Sequence, residues 1–88
     1  MSKYEKLVES ILSGKTDNNI RFTVLCRLLV SLGFKERIKG SHHIFFQDKV
    51  DEIINLQGIN GKAKAYQIRQ VRDIIIKYKL NQSLNDEV

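Results

Sequence analysis

The chain has no proline, no tryptophan and a single cysteine among its 88 residues. One thiol cannot form an internal disulfide, and Cys26 sits in an apolar run, so it is expected as a buried, reduced thiol. No group of cysteines and histidines has metal-ligand spacing, so neither a metal nor any other cofactor is expected. The only histidines, His42 and His43, are adjacent; on a strand they would point to opposite faces, which argues against a shared ion. No long apolar run is present, so no membrane span and no signal peptide is expected, and the location expected is cytoplasmic. Internal repeats, low-complexity tracts and linkers are missing too, and 88 residues suit one domain with one modest core.

Acidic residues are also in short supply. Ten Asp and Glu face fifteen Lys and Arg, which leaves a net charge of +5 and a pI near 9.5. Such a surface suits an anionic partner, and RNA, DNA or an acidic protein would each fit.

What is present is periodic. Residues 3–13 read as a helix, with Tyr4, Leu7, Val8, Ile11 and Leu12 at helical spacing and Gly14 to end it. A polar loop, Lys15 to Asn19, follows. Leu25, Leu28, Leu29 and Leu32 form an i, i+3, i+4, i+7 stripe, which predicts a helix from Thr23, as N-cap, to Leu32, closed by Gly33. From Phe34 the period becomes two. Phe34 and Ile38 alternate with Lys35, Arg37 and Lys39, which predicts a strand with one apolar and one basic face. Gly40-Ser41 is a turn, His42 to Gln47 its hairpin partner, Asp48-Lys49 a second turn and Asp51 to Gln57 a third strand. Gly58 to Gly61 reads as a loop. A last helix runs from about Ala65 through Ile68, Val71, Ile75 and Tyr78 to Asn81, with Lys62, Arg69, Arg72 and Lys79 along one flank and a frayed acidic tail, Asn85-Asp86-Glu87, behind it. Helices packed on one side of a three-stranded meander make an α+β sandwich.

The chemistry is concentrated in Gly40-Ser41-His42-His43-Ile44-Phe45-Phe46. Imidazole exchanges protons near neutral pH. RNA brings its own nucleophile, the 2′-OH, so a histidine amid Lys and Arg supplies most of what cleavage requires, whereas DNA lacks that hydroxyl. Two polar strand residues hydrogen-bonded to nearby backbone would explain the same histidines, and a solvated helix face the same cations. If Phe45 faces the core, Ile44 and Phe46 share the other face with His42, where a protein partner or the N-terminal helix 3–13 could cover them.

Leu32-Gly33-Phe34 followed by Gly40-Ser41-His42-His43-Ile44-Phe45 resembles the signature of the HicA toxins, mRNA interferases of type II toxin–antitoxin modules. The similarity runs from about Arg21 to Leu80, leaving residues 1–20 as an N-terminal helical extension and 81–88 as a flexible tail. It implies a double-stranded-RNA-binding-like α-β-β-β-α fold, metal-independent cleavage of mRNA, and neutralisation by a HicB-type antitoxin. DNA binding is expected only through the antitoxin complex. The family's catalytic histidine matches His42; some members carry histidine at the position of His43 instead, which makes it the minor candidate. Candidate RNA contacts are Lys35, Arg37, Lys39, Ser41, Lys62, Lys64, Arg69 and Arg72, and candidate antitoxin contacts are Ile44 and Phe46. The chain departs from the family in lacking the Pro–x–His after the third strand, where it has Gln57-Gly58-Ile59, and the proline at Ala65. A non-catalytic RNA-binding module of the same fold is the alternative, and a DNA-binding or purely structural protein lies further off, for want of a helix-turn-helix signal.

Overall fold

Six elements follow one another in the structure, a computed structural model that describes residues 4–82. They are α1 (Glu5–Ser13), α2 (Phe22–Ser31), β1 (Lys35–Lys39), β2 (His42–Gln47), β3 (Val50–Leu56) and α3 (Ala65–Tyr78). The expected tail at Asn85-Asp86-Glu87 lies outside the described residues. The strands form one antiparallel sheet in the order β1-β2-β3, so the molecule is a small α+β domain. None of its helices is long and apolar enough to cross a membrane among the described residues.

One face of the sheet is buried. Phe45 at the centre of β2 has no exposed surface, and Ile54 and Leu56 of β3 join it. Removing a phenylalanine side chain of this kind from water stabilises by about 1.5–3 kcal/mol. α3 packs on this face through Ile68, Val71, Ile74 and Ile75, and α2 adds its predicted leucine stripe, Leu25, Leu28, Leu29 and Leu32, to the same core, with Cys26 buried beside them. α1 packs on α3 and sends Val8 and Ile11 into the same core. The N-terminal segment is thus part of the one core. It lies on the helical side of the sheet, so of the two covers considered for Ile44 and Phe46 it is not the one.

The second helix begins elsewhere than expected, because tertiary structure supplies its cap. Thr23 is not the N-cap; Arg21 is, and it makes no side-chain cap bond. The orphan N–H of Phe22 donates instead to the Gly61 carbonyl at 2.9 Å. Gly61 belongs to a tight turn that the loop reading passes over. Ile59 and Lys62 exchange both backbone hydrogen bonds, at 2.9 and 3.0 Å, across Asn60 (φ 53°) and Gly61 (φ 78°), the left-handed pair of a type I′ turn. Lys62 also bridges Arg21. At its other end α2 closes on Gly33 (φ 101°) as expected: Gly33 N–H donates to Val30 and Phe34 N–H to Leu29, a Schellman motif that seats buried Phe34 on buried Leu29.

Two further expectations change. β1 has no buried apolar face, since every residue is exposed and Ile38 is 60% so. It is one of the two edge strands, and the core leaves its residues exposed. α3 stops at Tyr78 rather than Asn81, because Lys79 turns left-handed (φ 54°) and Leu80 N–H closes on the Ile75 carbonyl. Tyr78 packs its ring against the core, as expected, and donates its hydroxyl to Glu52 Oε1 at 2.6 Å. Lys77 donates to the other Glu52 oxygen at 3.0 Å. The Tyr78 bond first, then Lys77, holds the Glu52 carboxyl below the ordinary carboxylate range.

Gly58 marks the closest backbone approach. A Cβ there would stand 2.8 Å from Phe22 Cγ, and Phe22 is held at the start of α2. Gly58→Ala is therefore expected to destabilise the fold by about 1–3 kcal/mol through overpacking. Urea titration checks this, and an unchanged midpoint would mean that Phe22 can move away freely.

Candidate functional site

Gly40 takes φ 61° while Ser41 stays in the ordinary region, the pattern of a type II′ hairpin, and this two-residue turn sets Lys39 opposite His42. From there the alternation is strict. His42, Ile44 and Phe46 share the outer face of the sheet with Lys39, Arg37 and Lys35, their respective cross-strand partners. His43 and Phe45 point inward, opposite Ile38 and Glu36. The parity argument holds: Phe45 is core, His42 is exposed, and Ile44 and Phe46 are half-buried beside it.

Each histidine takes a diagonal partner from a neighbouring strand, one on each face. Outside, His42 Nδ1 lies 3.1 Å from Asn55 Oδ1; Asn55 pairs with Ile44 and so sits one step along β3. With the amide oxygen as acceptor, Nδ1 carries the proton and Nε2 keeps its lone pair for a proton from elsewhere. The turn is braced as well, since Gln57 Nε2 donates to Ser41 Oγ at 2.9 Å. The Arg37 guanidinium stands 5.9 Å from the centre of the Phe46 ring, so a cation and an aromatic cover this face together. An exposed imidazole with the Asn55 amide at Nδ1 and Lys39 opposite it is equipped to move a proton next to a bound anion.

Inside, His43 Nδ1 meets Glu36 Oε2 at 2.7 Å, and the Phe22 ring stands edge-on to the imidazole at 4.9 Å and 82°. Cys26 lies close by. Burial first, then the Glu36 charge, pushes its thiol up to about 12, so it is no ready nucleophile.

The remaining cations do not form one surface with those of β1. Arg69 is exposed on α3, which packs on the inner face, so it points away from Lys35, Arg37 and Lys39 across the thickness of the domain. Lys62 and Lys64 lie where the chain leaves β3, at the same end of the sheet as the His42 hairpin. Lys79 is at the far end, where it lines an open cleft of about 550 Å³ with Lys35, Lys49 and Phe46. That cleft holds no histidine and lies at the other end of β2 from His42. Arg72 leaves the RNA-contacting set altogether. Its Nη1 and Nη2 grip both Asp17 oxygens at 3.0 Å, and Nη1 also donates to the Ile11 carbonyl at 3.0 Å. The pair is 17% and 15% exposed, and the Asp17 hydrogen bonds, against some desolvation, raise the guanidinium pKa.

No family model, no curated protein and no solved structure matches the chain. The site is therefore defined by its own geometry. Asn55, Gln57 and Glu36 belong to it by position, yet no motif marks them. For Asn55 the available signal was its parity with Ile53, opposite to Ile54 and Leu56, which puts it on the His42 face.

The two arginines of α3 separate cleanly. Arg72→Gln is expected to lower the melting temperature, because it unlocks the loop after α1 from α3, whereas Arg69→Gln should leave the melt unchanged. Thermal denaturation followed by circular dichroism reads both. Equal melts for the two variants would make Arg72 a free surface cation after all.

Proposed function

We propose that this protein is a ribonuclease toxin of the HicA kind: a double-stranded-RNA-binding-like α-β-β-β-α domain of the cytoplasm that cleaves mRNA with His42 and is silenced by a HicB-type antitoxin. The order α2-β1-β2-β3-α3 agrees with that arrangement. The observation that carries the reading is His42 itself, exposed beside the Gly40-Ser41 turn with Nδ1 engaged by Asn55 and Nε2 left for chemistry.

In this reading Nε2 takes the proton of a 2′-OH, which attacks the adjacent phosphorus and expels the 5′-oxygen. The expelled oxygen takes its proton from solvent as it leaves, and the imidazolium then returns its proton to solvent. Lys39 and Arg37 offset the charge gathering on the phosphate, and Asn55 keeps the imidazole in the productive tautomer. The products are a 2′,3′-cyclic phosphate and a 5′-OH, and DNA, without the hydroxyl, is spared. Lys35, Ser41, Lys62 and Lys64 are the further RNA contacts, and such contacts position a strand without reading its sequence.

His42→Ala is expected to slow RNA cleavage in EDTA by at least ~10²-fold while the fold survives, since the residue is exposed. Asn55→Ala, which removes only the orienting amide, should cost less and add nothing in the double variant. Gel assays with end-group analysis check this. Undiminished cleavage by His42→Ala removes it from the mechanism, 5′-phosphate ends point to attack by water, and binding without cleavage in the wild type leaves an RNA-binding module.

In this reading the antitoxin sits on the outer face of the sheet. Lys35, Arg37 and Lys39 would steer an acidic partner to the outer face, and half-buried Phe46 beside Ile44 offers it an apolar anchor. Phe46→Ala is expected to weaken antitoxin binding by more than ~1 kcal/mol. Its melt should change by less than the roughly 3–5 kcal/mol that a core phenylalanine costs. Titration calorimetry and melts of the same variant decide, and a collapsed melt would move Phe46 from the interface to the core.

A further inference from the structure

The inner face of the sheet gathers a second cluster, whose chemistry does not depend on the nuclease reading. Cys26 comes from the middle of α2, Glu36 from β1 and His43 from β2. The Cys26 sulfur, a Glu36 carboxylate oxygen and an imidazole nitrogen of His43 all lie within 4.8 Å of one another. We propose that Cys26, Glu36 and His43 form a binding site for a divalent first-row transition ion, zinc by preference, with solvent completing a four-coordinate shell.

The donor set selects the class of ion. Thiolate and imidazole are ligands for borderline-soft zinc, while magnesium and calcium require oxygen throughout. A thiolate and a carboxylate also bring two negative charges, which match the charge of the ion. The distances are within reach of side-chain rotation alone. Ligand bonds of ~2.0–2.3 Å imply donor separations of roughly 3.3–3.8 Å in a tetrahedron. The His43–Glu36 contact of 2.7 Å must therefore open slightly and the sulfur close in slightly. As the ion binds, the thiol proton leaves for solvent, and the proton that His43 Nδ1 shares with Glu36 leaves Nδ1 while Nε2 takes one from solvent, so the imidazole ligates in its neutral form.

The surroundings support a built site. The edge-on Phe22 ring limits how His43 can turn, as the neighbours of metal ligands commonly do. Cys26 is buried, yet the His43 and Glu36 side chains are 25% and 27% exposed, which leaves access for an ion and a position for water. Each ligand stands on a different element, so occupancy would tether α2 to the sheet at β1, an edge strand whose residues are exposed. His42 faces the other way and takes no part.

Cobalt titration of the reduced, untagged full chain tests the site, because its spectrum reports thiolate ligation directly and owes nothing to RNA cleavage. The expected result is one equivalent bound, a thiolate-to-cobalt charge-transfer band that zinc abolishes by displacement, and a higher melting temperature with either ion. Cys26→Ser should remove the band. His43→Gln and Glu36→Gln, at half-exposed positions that the fold tolerates, should each weaken binding at least ~10-fold, the loss that even outer-shell partners cause. His42→Gln, on the opposite face, should leave cobalt affinity and the charge-transfer band unaltered. Absence of the band from the folded, reduced chain overturns the proposal, and so does affinity unaltered by His43→Gln and Glu36→Gln.

Discussion

The arrangement of this protein hangs on the burial of Phe45. The side chain has no exposed surface, so β2 can sit on the core in one phase only. A strand has a period of two, and a slip of one residue would turn every side chain to the other face. The ladders on both sides hold that phase, with Glu36 opposite Phe45 on β1 and Ile54 opposite it on β3. The second turn needs an irregularity to coexist with it. Asp48-Lys49 lacks a residue of positive φ, and the register shifts between Phe45 and Gln47 to absorb the mismatch.

From that single phase come two chemically different histidines on adjacent positions. His42 is directed outward, where a neutral amide from β3 orients it and Lys39 and Arg37 stand across the strand. His43 is directed inward, where the carboxylate of Glu36 meets it and a buried thiol lies near. The first environment suits proton transfer at the surface. The second suits a cation, because it adds negative charge and soft donors. Separation by the sheet lets both exist within one dipeptide.

The positive charge is likewise divided by the fold. Arg72 is committed to holding Asp17 and the last turn of α1 against α3. Lys77 is paired with Glu52, which joins the end of α3 to β3. The outer-face cations of β1 are instead carried on an exposed edge strand, available to an anion. Arg69 is exposed as well, but it faces away from His42. The net charge of +5 therefore says little about where an anionic partner would sit.

Local patterns in the chain were sufficient for the helices, the meander, the two hairpin turns and the glycine that closes α2, because periodicity and turn chemistry act over a few neighbouring residues, whereas Ile44, Phe45 and Phe46 put apolar residues on both faces of β2 and left its phase to the packing. Asn60-Gly61 also carried its type I′ turn in plain view. Tertiary structure alone decided the rest: that Gly61 caps α2 in place of Thr23, that Ile38 stays in solvent on an edge, that Arg72 grips Asp17, that Asn55 orients His42, and that Cys26, Glu36 and His43 converge. Each of these joins residues far apart in the chain, and their meeting depends on strand register and on which side of the sheet the helices pack, neither of which leaves a spacing to read.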